Sequence, residues 1–229
     1  MIIFITGTGT DVGKTIATAA LASVYQQQGN EVVVAKPVET GEPEGSGDAV
    51  TIAGLVGVET AEFIRYPEPL APNLTARRAG QPQLVKEELL AWISELDALG
   101  RIVLVEGAGG LLVRLADDLT LVDLASDLNA PVVVVTSLGL GSLNWAELTV
   151  REAQRHGLDV AGLIGGYLPA EPDLATTLNV NELENVTGVE VLGCIPEGAG
   201  RLAPDEFAQM ARGVFGQLPI ASSSSPTLG

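Results

Sequence analysis

Nine residues near the start of the chain, Gly7-Thr8-Gly9-Thr10-Asp11-Val12-Gly13-Lys14-Thr15, restrict what it can fold into more than any other stretch. They follow a short apolar run, Met1-Ile2-Ile3-Phe4-Ile5, and precede the helical-looking segment 16–22. A strand, a glycine-rich turn and a helix start, in that order, form a cradle for phosphate. Glycine lets the backbone fold tightly, so that several N–H groups face one oxyanion. The helix N-terminus adds roughly half a positive charge. Lys14 is placed to reach the outer phosphates, and the Thr15 hydroxyl to hold a magnesium ion. The loop is one residue longer than the common pattern. Counting back from Gly13, the usual first glycine falls on Thr8, and Gly7 stands one place further out. A dinucleotide fingerprint would need glycine where Val12 stands.

The remaining chain fits one α/β domain. Six apolar runs read as strands: the N-terminal run, Glu31–Lys36, Arg101–Glu106, Val132–Val135, Val160–Ile164 and Val189–Ile195. Helical spacing is expected over Ala49–Val56, Gln83–Leu99, Leu119–Leu128, Asn144–His156, Pro172–Leu183 and Pro204–Phe215. The proline-rich stretch 66–82 reads as a long loop, and Leu111–Leu115 as a short extended piece. Alternation of strands and helices implies a single-domain, mostly parallel β-sheet with helices on both faces, of the P-loop NTPase type. Residues 1–216 are expected to form the catalytic domain and 217–229 a flexible tail, rich in serine over Ser222–Ser225.

Composition narrows the partners. The 229 residues hold 12 basic against 29 acidic side chains, a net charge of −17. Such a surface suits neither nucleic acid nor an anionic membrane. A single cysteine, Cys194 in an apolar strand, and no signal segment imply a reducing, cytoplasmic setting. Only three lysines are present, Lys14, Lys36 and Lys86, and two of them stand at motif positions. An acidic protein that handles an anionic nucleotide must concentrate cations locally.

The candidate chemistry gathers at the carboxyl ends of the strands, where ligands of parallel sheets bind. Glu106 ends an apolar strand before Gly107-Ala108-Gly109-Gly110, a place where nucleotide enzymes put an acid beside a metal. Thr15, Asp48 and Glu106 offer the oxygen donors that magnesium takes. Asp48 equally suits a helix cap. Lys36 ends the second strand, placed to stabilise a transferring phosphoryl group or a substrate anion. His156, before Gly157, reads as a cation at a helix C-terminus.

These motifs closely resemble those of the dethiobiotin synthetases. Thr6 to Ile16 matches that family's longer loop, Lys36-Pro37-Val38-Glu39-Thr40-Gly41 its second motif, and Val105 to Gly110 its third. Gly141 to Thr149 resembles the fourth, and the likeness runs in order to about residue 215. The resemblance implies a Mg-ATP-dependent ligase of biotin biosynthesis. Its substrates are 7,8-diaminopelargonic acid (7,8-diaminononanoate), CO2 and ATP. A carbamate forms on one amine and attacks the γ-phosphate to give a carbamic–phosphoric anhydride. The second amine then closes the ureido ring and expels phosphate. It also implies a homodimer with the substrate at or near the subunit interface.

Site roles follow from the same likeness. Asp11, Val12, Gly13, Lys14, Thr15 and Ile16 wrap the triphosphate, and Thr15, Asp48 and Glu106 surround magnesium. Lys36 and Lys14 are the catalytic cations. Gly107, Ala108 and Gly109 lie between nucleotide and substrate, while Thr10, Lys36 and Thr40 contact substrate. Gly141, Ser142, Leu143 and Asn144 open a helix that could receive the substrate carboxylate. Gly166, Tyr167, Pro196, Glu197 and Gly198 stand at the base end of the nucleotide.

Two other classes are weaker. A partitioning-type switch ATPase carries an extra lysine early in the loop, and positions 7–12 hold none. A cobyrinic acid-type amidotransferring synthase needs a glutaminase domain with a nucleophilic cysteine.

One departure from the family bears on specificity. Many members carry asparagine, which reads adenine, where this chain has Gly166. Base selection is then loose, or rests on backbone near Pro196–Gly198, and other nucleoside triphosphates are expected to be accepted. Steady-state rates with ATP, CTP and GTP should lie within about a hundredfold of each other; a larger preference for ATP, worth roughly 2.7 kcal/mol, ends this expectation.

Overall fold

The structure, a computed structural model, describes residues 1–218; the expected tail from 219 onward lies outside the described residues. The chain runs β1 (Ile2–Gly7), α1 (Lys14–Gln27), β2 (Val32–Thr40), α2 (Asp48–Val56), β3 (Glu59–Tyr66), α3 (Pro72–Ala79), α4 (Lys86–Asp97) and β4 (Ile102–Gly110). A small hairpin follows, β5 (Arg114–Ala116) and β6 (Leu119–Thr120), then α5 (Leu121–Asp127) and β7 (Val132–Thr136). The last elements are α6 (Ser142–Arg155), β8 (Val160–Leu168), α7 (Leu174–Thr187), β9 (Val191–Pro196) and α8 (Pro204–Phe215).

Seven strands form one sheet in the order β3-β2-β4-β1-β7-β8-β9, and every recorded pairing within it is parallel. Parallel strands need helical crossovers, which cover both faces. Side chains alternate accordingly. Ile3 and Ile5 of β1 join Val32, Val34, Ile102 and Leu104 in one core, under α1, α2 and α8. Phe4 joins Val33, Ala35, Val103 and Val105 in the other, with Leu89 and Ile93 of α4 and Leu121 and Leu124 of α5.

Three expectations change. The sheet has a seventh strand, β3, at its edge. Most of its residues are only half-buried, so Glu59-Thr60-Ala61-Glu62-Phe63-Ile64-Arg65-Tyr66 never forms the continuous apolar run that marks a central strand. The stretch 66–82 is not one long loop, because α3 forms within it. Pro72 lies in the first turn of α3, where its missing N–H costs nothing, and Gly80 ends the helix in the left-handed region at φ 64°. Prolines read as breakers are here a helix start.

The third change concerns β2, which does not stop at Lys36 but runs on to Thr40. Pairing with β4 ends at Ala35↔Val105, while pairing with β3 continues through Thr40↔Tyr66. Pro37 thus falls where β2 has already parted from β4, a place that tolerates proline. The same register puts Lys36 and Glu106 one residue past the last paired rung of adjacent strands. Ile5↔Glu106 pairing places β1, and the loop leaving it, on the other side of Glu106.

Candidate active site

The loop between β1 and α1 folds as glycine chemistry requires. Gly13 caps α1 at φ 92°, and Asp11 also lies in the left-handed region, at φ 57°. The loop is seated on the end of β8. A Cβ on Gly13 would strike the backbone of Gly166, and one on Gly166 would strike the Val12 carbonyl. Gly166 is therefore required by a close backbone approach, and position 166 has no room for a base-reading side chain. No side chain caps α1 and no acid lies in its first turn. Its N-terminal N–H groups and dipole thus face the loop, an arrangement that favours an anion. Lys14 opens the helix with Nζ 3.0 Å from the Gly9 carbonyl. Burial, with help from Lys36, lowers the pKa of its ammonium below that of an ordinary lysine; Glu106 opposes the shift.

Beside the loop lies a buried ionic cluster. Lys36 Nζ donates to Glu106 Oε1 at 3.0 Å and is ion-paired with Asp48 Oδ2. Thr15 Oγ1 bonds Asp48 Oδ1 at 2.7 Å and Glu106 Oε1 at 3.3 Å. Glu106 is fully buried, and its Oε2 has no hydrogen-bond partner. Burial works against the Lys36 charge, but Glu106 and Asp48 outweigh it and hold the ammonium protonated. Burial pushes the Glu106 carboxyl up, with Lys36 opposing. Burial also acts to raise Asp48, yet Lys36 and the Thr15 hydroxyl pull it below the ordinary range.

Asp48 does not cap α2. It is the first helical residue after Gly47, and its side chain turns to Lys36 and Thr15. The acceptor for its N–H is Glu39, a residue sequence reasoning passed over, at 2.8 Å. The available signal was a second charge, three residues after Lys36, in an otherwise apolar strand.

A cavity of about 430 Å³ gathers Thr10, Asp11, Gly13–Ile16, Lys36, Thr40, Asp48 and Gly107–Gly109, with Glu39 and Glu42 beside them. Tyr167, Pro196, Glu197 and Gly198 do not line it. They stand at the ends of β8 and β9, where Glu197 accepts from the Ala170 N–H at 3.1 Å and pushes up the pKa of the nearby Tyr167 hydroxyl. Gly200 in the next turn lies against Ile16, so this group adjoins the start of α1. Gly141–Asn144 stand apart from the cavity, at the N-terminus of α6. Ser142 there is tied down by Asn179, which also holds the Leu138 and Gly139 carbonyls. Residues of α6 further along, Trp145, Leu148 and Glu152, face a second groove of about 410 Å³ with Thr8–Thr10 and Gly110–Val113. Thr10 lines both spaces. His156 ends α6 with Nε2 3.0 Å from Glu152, and Cys194 lies in β9, its thiol pushed up by burial.

Comparison with known proteins agrees with this geometry. The AAA domain family matches residues 2–200. The ATP-dependent dethiobiotin synthetase BioD of Corynebacterium efficiens is 60% identical over 211 residues, 92% of this chain and 96% of that one. The chain belongs to the dethiobiotin synthetase family. The BioD proteins of Rhodococcus erythropolis and Mycobacteroides abscessus are 49% and 48% identical, over 96% and 93% of this chain and 99% and 95% of theirs. A chain of the MinC:MinD cell division protein complex from Aquifex aeolicus shares the synthetase fold at TM-score 0.55 and 15% identity. The match spans 96% of this chain and 98% of that one.

The cluster makes stability depend on pH with a definite sign. The native Asp48 carboxyl titrates below its ordinary value of 3.8, so the unfolded state binds this proton more readily. Its stabilising contribution is complete above that value and is lost as pH falls through the lower native one. Asp48→Asn should be less stable than the natural protein in urea titrations at about pH 6, and the gap should close toward about pH 3. A gap that stays constant over this range would contradict the assignment.

Proposed function

We propose that this chain is an ATP-dependent dethiobiotin synthetase that closes the ureido ring of dethiobiotin on 7,8-diaminopelargonic acid. The observation that carries this reading is the Lys36 ammonium, buried between Asp48 and Glu106 at the mouth of the phosphate loop, in a chain 60% identical to a named synthetase. Attack of one amine on CO2 gives a carbamate and a proton. A carbamate oxygen then attacks the γ-phosphorus and ADP leaves. The second amine attacks the carbamoyl carbon, and phosphate leaves as the ring closes. Negative charge builds at phosphorus and at the carbamate, so the chain's task is positioning and charge stabilisation rather than nucleophilic attack.

The roles follow. Lys14 and the N–H groups opening α1 hold the triphosphate, while Lys36 faces the carbamate and γ-phosphate. Backbone of Gly107–Gly109 lies between the two reactants, and Thr10 and Thr40 bond the substrate. The residues present fit a magnesium ion. Glu106 Oε2 is a buried carboxyl oxygen without a hydrogen-bond partner, and Asp48 and Thr15 add further hard oxygen donors. Among the described residues, no group of three or more His, Cys, Asp and Glu could hold a metal by itself. Water and phosphate oxygens would thus complete the shell, as magnesium prefers. Bound there, magnesium supplies charge neutralisation on the phosphate oxygens. With position 166 closed by Val12, base choice falls to Tyr167 and the 196–198 turn.

The aliphatic part of the substrate suits the apolar groove that adjoins the ionic cavity through Thr10. Leu112, Trp145 and Leu148 there are more than half exposed. Such a face supports a homodimer in which a second copy covers the groove and brings its α6 N-terminus toward the substrate. No helix among the described residues is long and apolar enough to cross a membrane, and we place the enzyme in the cytoplasm.

Phosphate release should require diaminopelargonic acid, bicarbonate and Mg-ATP together. Release without the diamine would favour a switch ATPase instead. Lys36→Ala should slow ring closure by about a hundredfold or more, the usual cost of a lost transition-state donor. Binding of Mg-ATP, read by calorimetry, should stay within about tenfold, since the contact tightens mainly in the transition state. Turnover close to that of the natural protein would remove Lys36 from the mechanism.

A further inference from the structure

Glu39 belongs to none of the roles above, yet it is a carboxylate buried to 6% exposure beside the cluster. Both of its oxygens are engaged by backbone. Oε2 accepts the Asp48 N–H at 2.8 Å, and Oε1 accepts the Thr40 N–H at 3.2 Å. Helix α2 has no side-chain cap of its own, because its N-cap is Gly47, at φ 104°. A Cβ at Gly47 would press on the Glu39 carboxylate, so glycine there makes room for it. The segment before α2 is held separately: Arg65 donates to the carbonyls of Glu42, Pro43 and Ser46.

We propose that Glu39 is a positioning residue for Asp48: from β2 it supplies the missing cap of α2 and so fixes where Asp48 presents its two carboxylate oxygens. A single strand then grips Asp48 at both ends. Lys36 takes the side-chain carboxylate and Glu39, three residues on, takes the main-chain N–H. The N-terminus of a helix carries four N–H groups without intrahelical partners and a partial positive charge. A buried carboxylate from the neighbouring strand answers both. Without it, α2 can start one residue later or rotate, and the Asp48 carboxylate leaves the Thr15 hydroxyl and Lys36 ammonium that donate to it. Removing a partner that orients a ligating side chain typically costs about 10- to 100-fold in metal affinity.

This inference rests on the magnesium-nucleotide reading of the site, and its test separates the two. The probe is Mn2+ titrated into the full chain with ADP, read by electron paramagnetic resonance, alongside hydrogen exchange of the Asp48 amide. Glu39→Gln loses the charge and keeps one acceptor oxygen, which serves the Asp48 N–H while the longer contact to the Thr40 N–H is given up. Glu39→Asp keeps the charge and draws the acceptor back by one carbon. Glu39→Gln should bind Mn2+ within about threefold of the natural protein, and Glu39→Asp about tenfold or more weakly. Asp48 amide protection should fall in the same order. The reverse ranking would mean that charge matters and the cap does not; equal affinity in both variants would mean that Glu39 positions nothing. Either overturns the proposal. If Glu39→Asp does not fold, Gly47→Ala crowds the same carboxylate and should also weaken Mn2+; unchanged affinity there overturns it. Absence of Mn2+ binding by the natural protein with ADP would instead sink the metal-nucleotide reading beneath it.

Discussion

A lysine ammonium with almost no access to water is held where two adjacent parallel strands separate, and both of its partners are carboxylates. Taking such charges out of water costs several kcal/mol per ion, which their attraction offsets only with good geometry. The sheet provides that geometry through its register. Ala35↔Val105 is the last rung joining β2 and β4, so the next residues, Lys36 and Glu106, emerge side by side into the opening. Ile5↔Glu106 brings β1 and its loop to the other flank. A slip of one residue in either ladder would turn Lys36 or Glu106 into the opposite core. The ionic groups themselves oppose it: both faces of β2 and β4 are apolar, so a displaced ammonium or carboxylate would be buried there without a partner. The apolar sheet thus sets the ionic centre, and the ionic centre stabilises the fold only because the sheet is right.

That dependence explains which features the sequence disclosed. Central strands read clearly because burial on both faces demands unbroken Val, Ile and Leu. The phosphate loop read clearly because its backbone path demands glycine at few, fixed places. Lys36, Asp48 and Glu106 could be named because charged residues beside apolar runs need a reason. What stayed hidden depends on partners distant in the chain. β3 is half-exposed, so its apolar residues never form a run. α3 begins at a proline that locally resembles a break. Asp48 looks like a helix cap until Glu39, nine residues earlier, is seen to take that position. Gly166 looked like a lost base reader, whereas the close approach of Val12 gives it a steric reason to be glycine.

Fold likeness alone would not separate a ligase from a switch. A chain of the MinC:MinD complex shares the architecture at 15% identity, and that likeness shows the fold and nothing of the chemistry. The distinguishing features lie in side chains. Lys14 bends back to the Gly9 carbonyl of its own loop, while a second ammonium lining the same cavity, Lys36, is committed to Asp48 and to the buried Glu106. No lysine stands in positions 7–12 to serve another subunit. A switch needs its cations to report on the nucleotide. A ligase needs one aimed at a second reactant, and Lys36 lines the cavity that Thr40 and Gly107–Gly109 also line.

The two adjoining spaces make the same argument from polarity. One is walled by Lys14, Lys36, Asp48 and backbone amides; the other by Leu112, Val113, Trp145 and Leu148. A reactant that is polar at one end and aliphatic beyond it satisfies both, and Thr10 marks the seam. The apolar space is open, and Leu112, Trp145 and Leu148 in its walls are more than half exposed, so a single chain leaves it wetted. Water there would weaken every charge interaction in the adjoining cavity by raising the local dielectric. Covering the groove with a second copy would therefore do more than bury apolar surface. In the proposed dimer it would dry the approach to Lys36, and so tie the strength of that buried charge's interactions to assembly.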